Sequence, residues 1–171
     1  MATPATEPQP LILTNASIKI GSGPLAADLT ELACVANHVE LSPDVNTTTL
    51  DTMCGSKDYP GTVKWSLVAT LYQSFDPDAT EDVLSAAVEG GVPVPYEVMG
   101  YRDQPVSATN PVWSGMVIPQ PYSPINGDAG DASEVDLEWS CDGPPTKSIT
   151  PGALSAAEKA ADKEAKDAAR A

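Results

Sequence analysis

The sequence predicts a mainly β protein: two packed antiparallel sheets, a β-sandwich or partial barrel, with one flanking α-helix. A long inter-strand loop and a partly helical C-terminal tail complete the expectation. Three observations carry it. The 171 residues include 17 Pro and 12 Gly, which break the chain too often for a helical bundle. Several runs alternate apolar and polar residues with turn formers between them, the period of half-buried strands. One stretch alone, following Phe75-Asp76-Pro77-Asp78, spaces its apolar residues as a helix does. With one Phe, three Trp and five Tyr, the core must be filled mostly by Val, Leu, Ile and Ala.

In chain order, residues 1–10 lack periodicity and read as a flexible arm. Residues 11–20 (LILTNASIKI) read as a strand, ended by Gly21-Ser22-Gly23-Pro24. Residues 31–41 read as a second strand, with Ala33, Val35, Val39 and Leu41 on one face and His38 solvated on the other. Residues 42–57 (SPDVNTTTLDTMCGSK) read as a long, polar, Thr-rich loop whose isolated apolar residues are Leu50 and Met53. A loop that long is usually functional, so it reads as a protruding contact loop for subunit association, with a floppy hairpin connection as the alternative. Asn46, Thr48, Leu50 and Met53 are its contact candidates.

After Pro60-Gly61, Val63, Trp65, Leu67, Ala69 and Leu71 alternate with Lys64, Ser66, Thr70 and Tyr72, and Val68 is the one apolar exception. That strand feeds the helix. Thr80 is the expected N-cap, Glu81 and Asp82 favour the first turn, and Val83, Leu84, Ala87 and Val88 form the buried stripe. Gly90-Gly91 ends it. Residues 94–101 form a strand whose Pro93 and Pro95 imply an edge or a late start to pairing. A turn region spans 102–111, a strand 112–119, and a Pro-rich run 119–124. The Gly/Asp loop 125–133 lacks the distal bidentate Glu of a calcium loop, so turn chemistry explains it better. In 134–142, Val135, Leu137, Trp139 and Cys141 face the core; Glu134, Asp136 and Glu138 face away. Like charges two residues apart gain nothing for a sheet locally, so that face is either simply solvated or selected to be negative.

Charge narrows the function. The net charge is −15, and residues 153–171 hold four acids against four bases, leaving 20 acids against 5 bases on residues 1–152. Such a surface repels nucleic acid. No nucleophile motif, phosphate loop or metal spacing is present, so neither an enzyme nor a cofactor or metal site is expected. Cys34, Cys54 and Cys141 are far apart and odd in number; reduced, buried thiols are the expectation, with one bridge left open. No apolar run nears the ~20 residues of a membrane span, and the first ten residues lack the features of a secretory signal.

The order of parts resembles the major tail tube proteins of long-tailed, siphovirus-type bacteriophages, particularly those of actinobacterial hosts. The residues that carry the resemblance are Met53-Cys54, Pro60-Gly61, the strand 62–73, the helix ending at Gly90-Gly91, Val94-Pro95-Tyr96, the 119–124 run and Trp139-Ser140-Cys141-Asp142-Gly143. It covers residues 11–150 as a tail-tube-like domain. The resemblance implies hexameric rings stacked into a tube, with 42–57 reaching a neighbouring ring. It implies a lumen holding the tape-measure protein and later passing genomic DNA without specific binding. Tail terminator and tail-tip proteins would be further partners, and the location would be the virion tail, assembled in the host cytoplasm, with no membrane. Glu134, Asp136 and Glu138 are the pore-lining candidates. A ring of such carboxylates, felt over a Debye length of ~8 Å, would keep a phosphate backbone off the wall.

Residues 151–171 lie outside the resemblance as an Ala/Glu/Lys-rich extension. Ser155 and Glu158 fit a capping box, but no apolar stripe follows Leu154. A capsid decoration or head–tail connector protein would share the acidic β-rich character without stacking. A carbohydrate-binding sandwich would need an exposed Trp; Trp65 and Trp139 belong to core faces, which leaves Trp113.

Overall fold

The computed structural model describes residues 15–150. The expected N-terminal arm, the start of the first strand and the C-terminal extension lie outside the described residues. The described chain runs β1 (Ser17–Gly21), a 3-10 turn (Ala26–Asp28), β2 (Leu29–Glu31), β3 (Ala36–Thr52), β4 (Gly55–Tyr72), α1 (Thr80–Gly90), β5 (Val94–Met99), β6 (Val112–Ile118), β7 (Glu134–Cys141) and β8 (Thr146–Ser148).

Among the described residues the protein is mainly β and antiparallel with one α-helix, as the sequence predicts. The strands differ from the expectation in being joined: they form one hydrogen-bonded sheet ordered β2-β1-β5-β6-β7-β4-β3, with β8 beside β6. The seam is narrow. β6 and β7 share only Val117↔Cys141 and Ile118↔Ser140. Beyond Ile118 come Pro119 and Pro121, which have no N–H to continue the ladder. The sheet folds over at this seam. One core cluster contains Ile18, Ile20 and Tyr96 from one half and Leu67, Leu71, Val135 and Trp139 from the other. The sandwich therefore has two layers and one continuous sheet.

Strand faces follow the alternation. In β7 Val135, Leu137 and Trp139 are buried, and Asp136, Glu138 and Ser140 are exposed. Trp139 Nε1–H donates to the Gln120 carbonyl at 3.1 Å, which satisfies the indole inside the core. In β4 Leu67, Ala69 and Leu71 are buried, whereas Trp65 is half-buried and Val63 is exposed. The oily face thus begins later than the sequence predicts. Tyr96 is buried, and the Cys141 thiol donates to its hydroxyl at 3.6 Å.

Four expectations change. The strand over 31–41 is two elements, because the chain turns at 33–35 and buries Leu32, whose N–H donates to Ile18 O at 2.8 Å. The loop over 42–57 is a hairpin: β3 continues to Thr52 and β4 starts at Gly55, with Met53-Cys54 as the turn. Its threonines are β-branched and favour the extended chain. Ala79, not Thr80, caps α1, since the Thr80 hydroxyl donates to Tyr72 O at 2.9 Å and ties the helix to the end of β4. All three cysteines are free, but Cys34 and Cys54 are exposed rather than buried.

Other expectations hold. Gly91 takes a left-handed φ of 62° and returns its N–H to Val88 O, closing the helix. Pro95 pairs with Met116 of β6, while pairing to β1 starts only at Tyr96↔Ile20. That is the late start its missing N–H requires. The 102–110 turn is held from inside by buried Asn110. Its Oδ1 accepts from Tyr101 N, and its Nδ2 donates to Tyr101 O and Gln104 O.

Candidate functional site

Two surfaces stand apart from the rest of the molecule, and β4 belongs to both. The first is the outer face of β7, β4 and β3. Register aligns Asp136, Thr70 and His38 in one row, Glu138, Val68 and Glu40 in the next, and Ser140, Ser66 and Ser42 in a third. Glu134 lies across from Tyr72. The three sequence-predicted carboxylates therefore share one face with Glu40, which sequence reasoning left out. The alternation in 36–44 that places Glu40 beside Val68 could have found it. Carboxylates two residues apart on a strand stand ~7 Å apart, within one Debye length of ~8 Å, so their fields overlap. Asp136 is held by the Thr70 hydroxyl at 2.8 Å. His38 Nε2 lies 3.5 Å from Glu40 Oε2, and both side chains are about half exposed, so this pair is a solvated surface contact.

The second surface is the β3–β4 hairpin. Every residue from 43 to 64 is exposed. The ten residues of β3 past Ser42 carry the arm roughly 33 Å beyond the core at ~3.3 Å per residue. The register slips between Val45↔Val63 and Thr47↔Pro60, where Gly61 and Thr62 oppose Asn46 alone. This is a β-bulge. Gly61 permits it, since a Cβ there would collide with the Asn46 carbonyl oxygen. Past the bulge β4 exchanges faces, so Tyr59 joins Thr48 and Lys57 joins Leu50 on the side that carries the carboxylates lower down. The four contact candidates thus sit on one arm: Asn46 at the bulge, Thr48 and Leu50 along it, and Met53 at the tip. Thr49 to Asp58 at 2.6 Å, together with the Ser56–Asp51 hydrogen bond, braces the opposite face.

The remaining candidates are simpler. Trp113 is half-buried, lines a cleft of about 350 Å³ with Trp65, Leu41 and Met99, and has Lys147 Nζ 5.6 Å from its ring centroid. Arg102 donates to Cys34 Sγ at 3.2 Å at the surface. Among the described residues, no group of three or more His, Cys, Asp or Glu is arranged to hold a metal ion, and no helix is long and apolar enough to cross a membrane.

Neither a protein-family model nor a curated protein sequence matches the chain. Solved structures do. The chain is similar to one in the sheath/tube terminator of the extended PVC extracellular contractile injection system, with TM-score 0.60 and 13% identity over 84% of this chain and 99% of that one. It is also similar to a chain of the extended PVC sheath–tube complex, with TM-score 0.59 and 12% identity over 82% and 93%. A third likeness is to a chain in the tail of an empty gene transfer agent particle of C6 symmetry, with TM-score 0.53 and 13% identity over 77% and 94%. These likenesses establish a shared fold spanning nearly the whole length of each neighbour.

Proposed function

We propose that this chain is the tube-forming structural subunit of a phage-type tail. Copies form hexameric rings, the β7–β4–β3 outer face lines the lumen, and the β3–β4 hairpin reaches the next ring. The observation that carries this reading is the one-sided acidic face, Glu134, Asp136, Glu138 and Glu40, on adjoining strands. Nothing in the fold needs those charges together, and a conduit for DNA does. Fold likeness to chains from tube and tail assemblies supports it, and the C6 symmetry of one of them supports six subunits per ring.

Two further features agree. An isolated two-stranded arm is marginal in water, so a hairpin this exposed is built to be covered. β3 and β2 are the outermost strands of the sheet, and ring closure would cover edges that otherwise invite uncontrolled pairing. The finer assignment rests on the sequence resemblance. It is a siphovirus-type tail from a phage of an actinobacterial host, assembled in the host cytoplasm. A tape-measure protein occupies its lumen, terminator and tip proteins close its ends, and genomic DNA passes through at ejection.

Negative-stain electron microscopy of the concentrated protein, alongside size-exclusion chromatography, tests the reading. Hollow tubes of stacked rings are expected. Discrete trimers, or closed rings that never stack, would overturn it in favour of a decoration or connector protein.

A further inference from the structure

Large apolar side chains are exposed at both ends of β4, and the two ends differ in charge. At the hairpin end, Leu50 is 52% exposed and Met53 is fully exposed, with Lys57 paired across from Leu50. At the other end β4 runs into a loop that leaves Phe75 68% exposed. The connection between β6 and β7 is tied to that same end. Gln73 Nε2 donates to Pro124 O at 2.7 Å and Glu134 N to Asn126 O at 3.1 Å, which places Ile125, 77% exposed, in the same region.

Isolated exposed apolar residues are ordinary. Two sets among them lie at opposite ends of one 18-residue strand, roughly 56 Å apart at ~3.3 Å per residue. Charge distinguishes the sets. The arm carries Lys57 and Lys64, neither in an ion pair among the described residues, against Asp44, Asp51 and Asp58, whereas the far end has no base at all. The far end exposes Asp76, Asp78, Asp82, Asp128 and Asp131, and the stretches 73–83 and 124–134 contain no Lys or Arg. In a chain with five basic residues among its first 152, two unpaired lysines on one arm are a concentrated resource.

We infer that the hairpin tip of one copy docks on the Phe75–Ile125 end of the next. Leu50 and Met53 cover Phe75 and Ile125, and Lys57 meets the aspartates around them. This rests on the tube reading and adds to it the receiving surface. The two patches are unlike, so the contact is head-to-tail, and repeated along one axis it does not close. Self-repulsion of a strongly acidic subunit is least where the lysine-bearing arm meets the most acidic end.

The full chain carries its own probe, Cys54, next to Met53. In a Cys34→Ser background, Phe75→Cys and Ile125→Cys variants are concentrated, mildly oxidised and run on a non-reducing gel. A ladder of covalent multimers is expected from each, and none from Ser140→Cys on the acidic face. A Phe75→Asp/Ile125→Asp variant is expected to keep its melting temperature and fail to stack. Tubes without the ladder, or full-length tubes from the double-aspartate variant, would overturn this docking and leave the tube reading standing. A ladder in chains that enclose no channel would support the docking and overturn the tube. Neither ladder nor tube would overturn both.

Discussion

The Thr70 hydroxyl donates to the Asp136 carboxylate at 2.8 Å, across the β4–β7 pair. One carboxylate of the acidic face is therefore tethered. Its neighbour Glu138, opposite Val68, has no such donor across the pair. On the proposed reading both line the lumen. Asp136→Lys and Glu138→Lys should leave tube length unchanged and slow DNA passage, because in the proposed hexameric tube each change places six cations in a ring against phosphate. Ejection rate at low and physiological salt measures this, and the defect should shrink as salt rises. Unaltered ejection through normal tubes would remove Asp136 and Glu138 from the lumen.

The Gly61 bulge separates folding from assembly. Gly61→Val forces the side chain into the Asn46 carbonyl and straightens or breaks the arm, while the core lies elsewhere. The melting temperature is expected to fall only slightly and sedimentable tubes to disappear. A variant that stacks normally would show that arm geometry is irrelevant to the contact.

Asn110 makes the opposite case. Asn110→Leu strips three backbone groups of their partners at a buried site and is expected to cost about 2–4 kcal/mol. Urea denaturation of unassembled subunit reads the loss directly. A change below ~0.5 kcal/mol would mean that the turn finds other partners.

Stability should fall at alkaline pH. Burial, reinforced by Cys141, pushes the Tyr96 phenol far above its usual range, and burial followed by the Glu81 hydrogen bond does the same to Tyr122. The unfolded chain releases both protons near pH ~10 and the folded chain retains them. Their contribution is therefore intact below pH ~10 and is lost as pH rises above it toward the folded values. Melting temperatures from pH 8 to 11 should decline only beyond ~10, and phenolate absorbance from these two residues should appear together with unfolding.

How much could be read in advance depended on whether a stretch has one wet face and one dry face. β7 has both, and each of its side chains lies on the side the alternation assigns. The helix could be located because Gly91 needs a left-handed φ and Val83, Leu84 and Ala87 share a stripe. The hairpin arm is wet on both faces, so no period marks it, and only the abundance of threonine hinted at extended chain. Thr80 misled as a cap because its hydroxyl is spent on a partner eight residues back, which is tertiary information. The acidic face could be read on β7 but not across strands, since Glu40 joins it only through register. Nothing in the chain marked Phe75 and Ile125 as lying at one end of the sheet.

The strand order also carries a kinetic consequence. Lys19 meets Glu97 across 78 positions, and Thr70 meets Asp136 across 66. Neither half of the sheet closes until distant segments have met, and closing such loops costs entropy before any contact repays it. Translation must deliver β7 before β4 gains its second neighbour, so the core consolidates late. Until it does, the long β3–β4 arm is already present, with its free edge and its apolar tip. On the proposed assembly, the subunit therefore carries its means of association before it has a finished body.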